Sequence, residues 1–199
     1  MVRRVDASPP TISPATAAWL LWVARASLAR ALGTAPPPKP ARPDDPLLSA
    51  KTRAFVSWHE GRTLVGCIGT LAATEPLEVT VDKYAVEAGL RDPRLPPATA
   101  EQLPRLSCEV SVLTDPADMD EVGLEAITAA LVPGRDGLVL RDSGRRAVFL
   151  PVVWESLPTA ELFVAALCRK AGIDPATRGP YVRGQRFFAV KVAEPSGPE

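Results

Sequence analysis

The chain carries only one histidine, three cysteines, two tyrosines and two methionines in 199 residues. Cys67, Cys108 and Cys168 are odd in number, far apart and without Cys-x-x-Cys spacing. That excludes a zinc ribbon or a secreted disulfide framework, and it fits a reducing, cytoplasmic compartment. With His59 the single histidine, no metal-ligand set assembles, and the cysteines are too few and scattered for an iron–sulfur cluster. No metal and no cofactor is expected. An excess of charge is also absent: Lys plus Arg and Asp plus Glu each total 23. A protein that grips nucleic acid through its phosphates needs a basic surplus, so no nucleic-acid partner is expected. Nor is there a long uncharged apolar run. Residues 15–32 are apolar but include Arg25 and Arg30, which predicts a packed helix rather than a membrane span. The basic start Met1-Val2-Arg3-Arg4 meets Asp6, Pro9, Pro10 and Pro14 without the apolar core of a signal peptide.

Apolar residues are plentiful at 46%, enough for a sizeable core, and so are prolines, with 22. Ser13-Pro14 predicts a helix start and Gly33 a stop, with Trp19, Trp22, Val23 and Ala26 recurring at helical spacing. Residues 34–46 are proline-rich and predict an exposed connector. Strands are expected over 54–58 and 63–71, joined by Glu60-Gly61-Arg62. A helix with Thr74 as its cap is expected to run from Glu75-Pro76 to about Leu90, and the prolines at 93, 96 and 97 end it. A short helix over 99–103 precedes an alternating strand over 107–113, with Cys108, Val110 and Val112 on one face and Glu109, Ser111 and Leu113 on the other. A helix over 125–131, a hairpin over 137–150, a helix from Thr159 to about Lys170 and a strand over 186–192 complete the reading. Adjacent hairpins mixed with helices predict an α+β fold, a largely antiparallel sheet with flanking helices.

The least expected stretch is Leu64-Val65-Gly66-Cys67-Ile68-Gly69-Thr70-Leu71. Glycine weakens a strand, so two of them flanking a cysteine indicate a bulge or a close approach to the backbone. A thiolate nucleophile needs nearby positive charge or a base. For Cys67 the helix start near Glu75 and the cations Arg91 and Arg94 are the candidates. The alternatives are a small buried apolar residue or a ligand contact without chemistry. Glu109, in the middle of an apolar strand, is either a partly buried acid or base, or a solvated or salt-bridged carboxylate. Arg91 and Arg94, in a proline-stiffened turn, are either a clamp for a carboxylate or phosphate, or a helix end paired with Asp92.

These motifs, in this order, resemble the AMMECR-type domain family, which includes the A protein of the AmmeMemoRadiSam system. The resemblance rests on Leu64 to Thr70, on Ala85 to Pro97, on Cys108 to Thr114, on Gly134-Arg135-Asp136-Gly137-Leu138, on Leu150-Pro151 and on Leu167 to Gly172. It runs from about Trp19 to Val192. It implies one domain over 14–193, with two unequal lobes around a cleft near the signature. The family pattern carries Arg where this chain has Val65, so any anion contact made by that Arg is lacking here. The resemblance implies a pathway shared with Memo-like and radical SAM proteins and fixes no reaction. Two readings follow. One is an enzyme, or enzyme subunit, acting on a small anionic or carbonyl substrate with Cys67 and Glu109 catalytic and Gly66, Gly69, Arg91 and Arg94 binding it. The other is a non-catalytic module that binds those partner proteins.

Overall fold

A computed structural model describes residues 11–195; the basic start and Pro9-Pro10 lie outside them. The fold is α+β, with strands β1 (Arg53–Glu60), β2 (Thr63–Gly69), β3 (Leu106–Leu113), β4 (Ala117–Val122), β5 (Asp136–Asp142), β6 (Arg145–Phe149) and β7 (Arg183–Ala193). The helices are α1 (Pro14–Ala31), α2 (Leu77–Leu90), α3 (Leu124–Ala130), α4 (Ala160–Ala171) and the short α5 (Pro175–Arg178). The chain divides into two compact units, residues 11–113 with 190–195 and residues 114–189. β7 contributes its last residues to the first unit and the rest to the second.

In the first unit the strand order is β2-β1-β3 followed by β7, and β1 pairs antiparallel with both β2 and β3. Helices α1 and α2 pack on one face. Their Trp19, Leu20, Val23, Leu28, Val81 and Ala85 join Val56, Trp58, Val110 and Val112 in one core. The alternation of β1 and β3 produces this arrangement: every second residue is buried, and the Trp58 indole donates to the Ala85 carbonyl of α2 at 2.9 Å. α1 begins as its sequence dictates. The Ser13 hydroxyl accepts from the Thr16 amide, with Pro14 in the first turn. Gly33 follows the helix at φ +71°, a conformation glycine adopts without strain. α2 starts at Leu77 with no side-chain cap, so Thr74 does not serve the role its position suggested. Residues 99–102 form a turn into a short 3₁₀ segment, Leu103–Arg105, in place of the helix expected there.

Residues 35–45 have no regular structure, and none of 34–46 is buried. The segment is nevertheless tied to α1 and α2. Trp22 donates its indole N–H to the Pro37 carbonyl at 3.1 Å, and the Lys39 ammonium lies 5.5 and 5.6 Å from the Trp19 and Trp22 ring centroids. Arg42 pairs with Glu78, which also accepts from the Trp19 indole. Trp22 is half-buried where Trp19 is 4% exposed. Trp22→Ala is therefore expected to cost about 2 kcal/mol, roughly half of what a fully buried tryptophan costs. That should lower the melting temperature by about 4–8 °C; an unchanged melting temperature would show that the connector is not anchored through Trp22.

In the second unit β7 pairs antiparallel with β4 and β5, and β5 with β6. The core gathers Ile127, Leu138, Leu140, Trp154, Phe163 and Leu167. Trp154 and Phe163 stack with centroids 3.9 Å apart. β4 is a strand that the sequence reading does not contain. Four of its six residues, Ala117, Asp118, Asp120 and Glu121, are poor strand formers, and pairing with β7 supplies what propensity does not.

Candidate functional site

The glycine-flanked segment is the edge strand β2. The pairing of β1 with β2 shifts between Trp58 and His59: Trp58 faces Gly66 and His59 faces Leu64. Val65 is thus the extra residue of a bulge. Neither Gly66 nor Gly69 adopts positive φ. Both are required by close approach. A Cβ on Gly66 would sit 1.8 Å from the Ala88 carbonyl oxygen of α2, and one on Gly69 would sit 2.3 Å from the Ala54 carbonyl oxygen of β1. Gly66 lets the last turns of α2 lie against the sheet.

Register then decides which side chains share a face. Ser57 of β1 pairs with Cys67 on one side and with Glu109 of β3 on the other. Directly opposed residues on adjacent strands point the same way, with Cβ atoms about 5 Å apart. Cys67, Ser57 and Glu109 therefore form one row, on the face of the sheet opposite α1 and α2. All three are half-buried. The row continues to β7, where the Lys191 ammonium lies 3.2 Å from Glu109. Ser111 also donates to Glu109, at 3.4 Å. Sequence reasoning found Cys67 and Glu109 but placed them independently. It missed Ser57 and Lys191, because only the strand pairing brings them into line.

A second group holds the backbone of Cys67. Asp92, in the turn after α2, is almost fully buried, with its side chain 2% exposed. Its carboxylate accepts from the Cys67 amide at 2.9 Å, the Arg94 amide at 3.1 Å, and Arg94 Nε and Nη2 at 2.9 and 2.7 Å. Nη2 also donates to the Cys67 carbonyl at 3.0 Å. The Arg94 hydrogen bonds, chiefly, and then the Cys67 and Arg94 amides hold the Asp92 carboxyl well below its usual range. The Arg94 guanidinium is raised, chiefly by its hydrogen bonds to Asp92. Arg94 is thus oriented by a buried partner while 63% of its side chain is exposed. Its Nη1 has no hydrogen bond among the described residues. Arg91 is placed differently: it pairs with Glu87 one turn back on α2 and lies 66% exposed.

The other two cysteines are core residues. Cys108 is 1% exposed in the first unit and Cys168 1% exposed in the second. Burial pushes both thiols up, Cys108 strongly. Among the described residues no group of three or more His, Cys, Asp and Glu side chains is arranged to hold a metal ion. No helix among them is long and apolar enough to cross a membrane.

An antiparallel α+β protein with a glycine-flanked cysteine on an edge strand is a recognisable class. The chain belongs to the AMMECR1 family, whose model matches residues 21–192. A protein of Thermofilum pendens is 32% identical over 194 residues, covering 89% of each chain. Protein Ta0236 of Thermoplasma acidophilum is 34% identical over 137 residues, 67% of this chain and 66% of that one, just under two thirds of its length. Among solved structures, the uncharacterised protein PH0010 from Pyrococcus horikoshii superposes with a TM-score of 0.73 at 31% identity, covering 90% of this chain and 92% of that one.

Proposed function

We propose that the protein binds a small anionic or carbonyl substrate at Cys67 and acts on it, as an enzyme or enzyme subunit in a pathway with Memo-like and radical SAM proteins. The observation that carries this reading is Arg94. A guanidinium fixed by buried Asp92, with Nη2 on the backbone carbonyl of half-buried Cys67 and Nη1 unengaged, suits an anionic group next to a nucleophile. Cys67 is the attacking group. Glu109, two strands away in the same row, is the proton donor or acceptor at the far end of the ligand. Arg91 is an outer anion contact. Gly66 and Gly69 shape the strand that carries the thiol.

One observation favours a second reading, a non-catalytic module that binds those partner proteins. Every hydrogen bond found at Cys67 besides the sheet pairing goes through its backbone, and no base is bonded to its thiol among the described residues.

Alkylation kinetics separate the two readings. Accessibility alone makes Cys67 the first thiol to react, since Cys108 and Cys168 are buried, so order of labelling decides nothing. Rate does. If Cys67 is a nucleophile, iodoacetamide at pH 7 is expected to label one thiol of the native protein faster than it labels free cysteine. Cys67→Ser should abolish that labelling and Arg94→Gln should slow it. A native rate below that of free cysteine, unchanged in Arg94→Gln, would make Cys67 a packing residue and leave the binding module.

A further inference from the structure

The second unit contains a groove that none of the chemistry above uses. It lies between α3 and α4, with a volume of about 490 Å³, within the range of small-molecule sites. Its walls are apolar: Leu124 and Ala129 from α3, Val164 and Ala165 from α4, and Pro175 at the start of α5. Buried Cys168 lies at its floor. Two carboxylates, Glu125 of α3 and Glu161 of α4, complete the lining together with Thr128. The Thr128 hydroxyl is committed to the Leu124 carbonyl at 2.6 Å. Both glutamates are exposed, and neither has an ion-pair partner among the described residues. The lining holds no cation.

We propose that this groove binds a small amphiphilic cation, an ammonium or guanidinium group on an apolar body, with the body against Leu124, Val164 and Pro175 and the charge between Glu125 and Glu161. The commitment to a cation follows from the charge pattern. An apolar groove alone would accept any greasy molecule, but two unpaired carboxylates at its rim penalise an anion and attract a cation. Their position in the first turns of α3 and α4 accounts for their tolerance there, since helix N-termini favour negative charge. It does not account for both facing the same apolar groove. The site is independent of Cys67 and stands or falls without it.

The test uses the full-length protein and n-alkylammonium ions from butyl to octyl, with octanoate and octanol as matched controls, by isothermal titration calorimetry. Each methylene that enters the groove is expected to tighten binding about fourfold. Octylammonium should bind more tightly than octanol, and octanoate least. Glu125→Gln and Glu161→Gln should each weaken octylammonium about two- to fivefold and leave octanol unchanged. Ala165→Trp, on the exposed side of α4, should fill the groove and abolish binding while the melting temperature stays near that of the wild type. Affinity independent of chain length, octanoate binding as tightly as octylammonium, or full binding by Ala165→Trp would each overturn the proposal. So would binding of a basic amphipathic peptide with none of octylammonium, which would make the groove a protein interface.

Discussion

Gly66→Ala is expected to destabilise the first unit by about 3 kcal/mol or more, and Gly66→Val to prevent it from folding. Inserting a group into a packed interior typically costs about 1–3 kcal/mol, when flexible side chains can give way. Here the obstruction is backbone. The added Cβ would lie 1.8 Å from the Ala88 carbonyl oxygen and 2.8 Å from its carbon. Relief requires α2 to move off the sheet, and that would open the core where Trp58 donates to Ala85. Gly69→Val should also exceed the ~1 kcal/mol of strand propensity, since its Cβ would meet Ala54 and Phe55 backbone at 2.3 and 2.5 Å. Gly61→Ala is the contrast. Its turn sits at φ +58° with nothing within 4 Å, so the cost is conformational only, about 1–2 kcal/mol. Urea unfolding of Gly66→Ala, Gly69→Val and Gly61→Ala checks the order. A Gly66→Ala protein as stable as Gly61→Ala would show that α2 does not need its close contact with β2.

The two glycines were conspicuous in the sequence, but the reason for them was not legible there. Glycine in a strand signals that something approaches; it does not say whether that is a ligand, a turn or a helix. The structure answers with a helix behind Gly66 and a neighbouring strand beside Gly69. The ends of α1 and α4, the strand β1, the alternation of β3 and the hairpin of β5 and β6 were legible because each depends on residues near one another in the chain. β4 was not, because its acidic residues become a strand only through pairing with β7. The candidate site divides in the same way. Cys67 and Arg94 could be singled out from local pattern, Asp92 only as the partner closing the helix end, and Glu109 from a carboxylate in an apolar strand. That Ser57 stands between Cys67 and Glu109, and that Lys191 reaches Glu109 from the last strand, follows from register, which local sequence does not specify.

Asp92 is the residue where fold and candidate site meet, and its loss should show in both. Asp92→Ala is expected to cost about 3 kcal/mol, because it removes a buried acceptor of four hydrogen bonds, two of them from a guanidinium. The Cys67 amide is then left without its partner. Arg94, largely exposed, loses its orientation but stays hydrated. The effect carries a pH signature. A carboxyl held below its unfolded value near 3.9 contributes stability that is fully present above that pH, and the contribution is lost as pH falls through the depressed folded value. The gap in unfolding free energy between wild type and Asp92→Asn should therefore be constant from neutral pH to about pH 5 and shrink progressively below about pH 4. Urea unfolding across that range measures it. Asp92→Asn keeps the shape and part of the hydrogen bonding, so it also separates charge from packing: Arg94 loses its charged anchor while the turn remains. If Cys67 reactivity depends on an oriented Arg94, alkylation of Asp92→Asn at pH 7 should slow as it does in Arg94→Gln. A gap that persists unchanged down to pH 2 would mean that the Asp92 carboxylate is not the ionised acceptor its four donors imply.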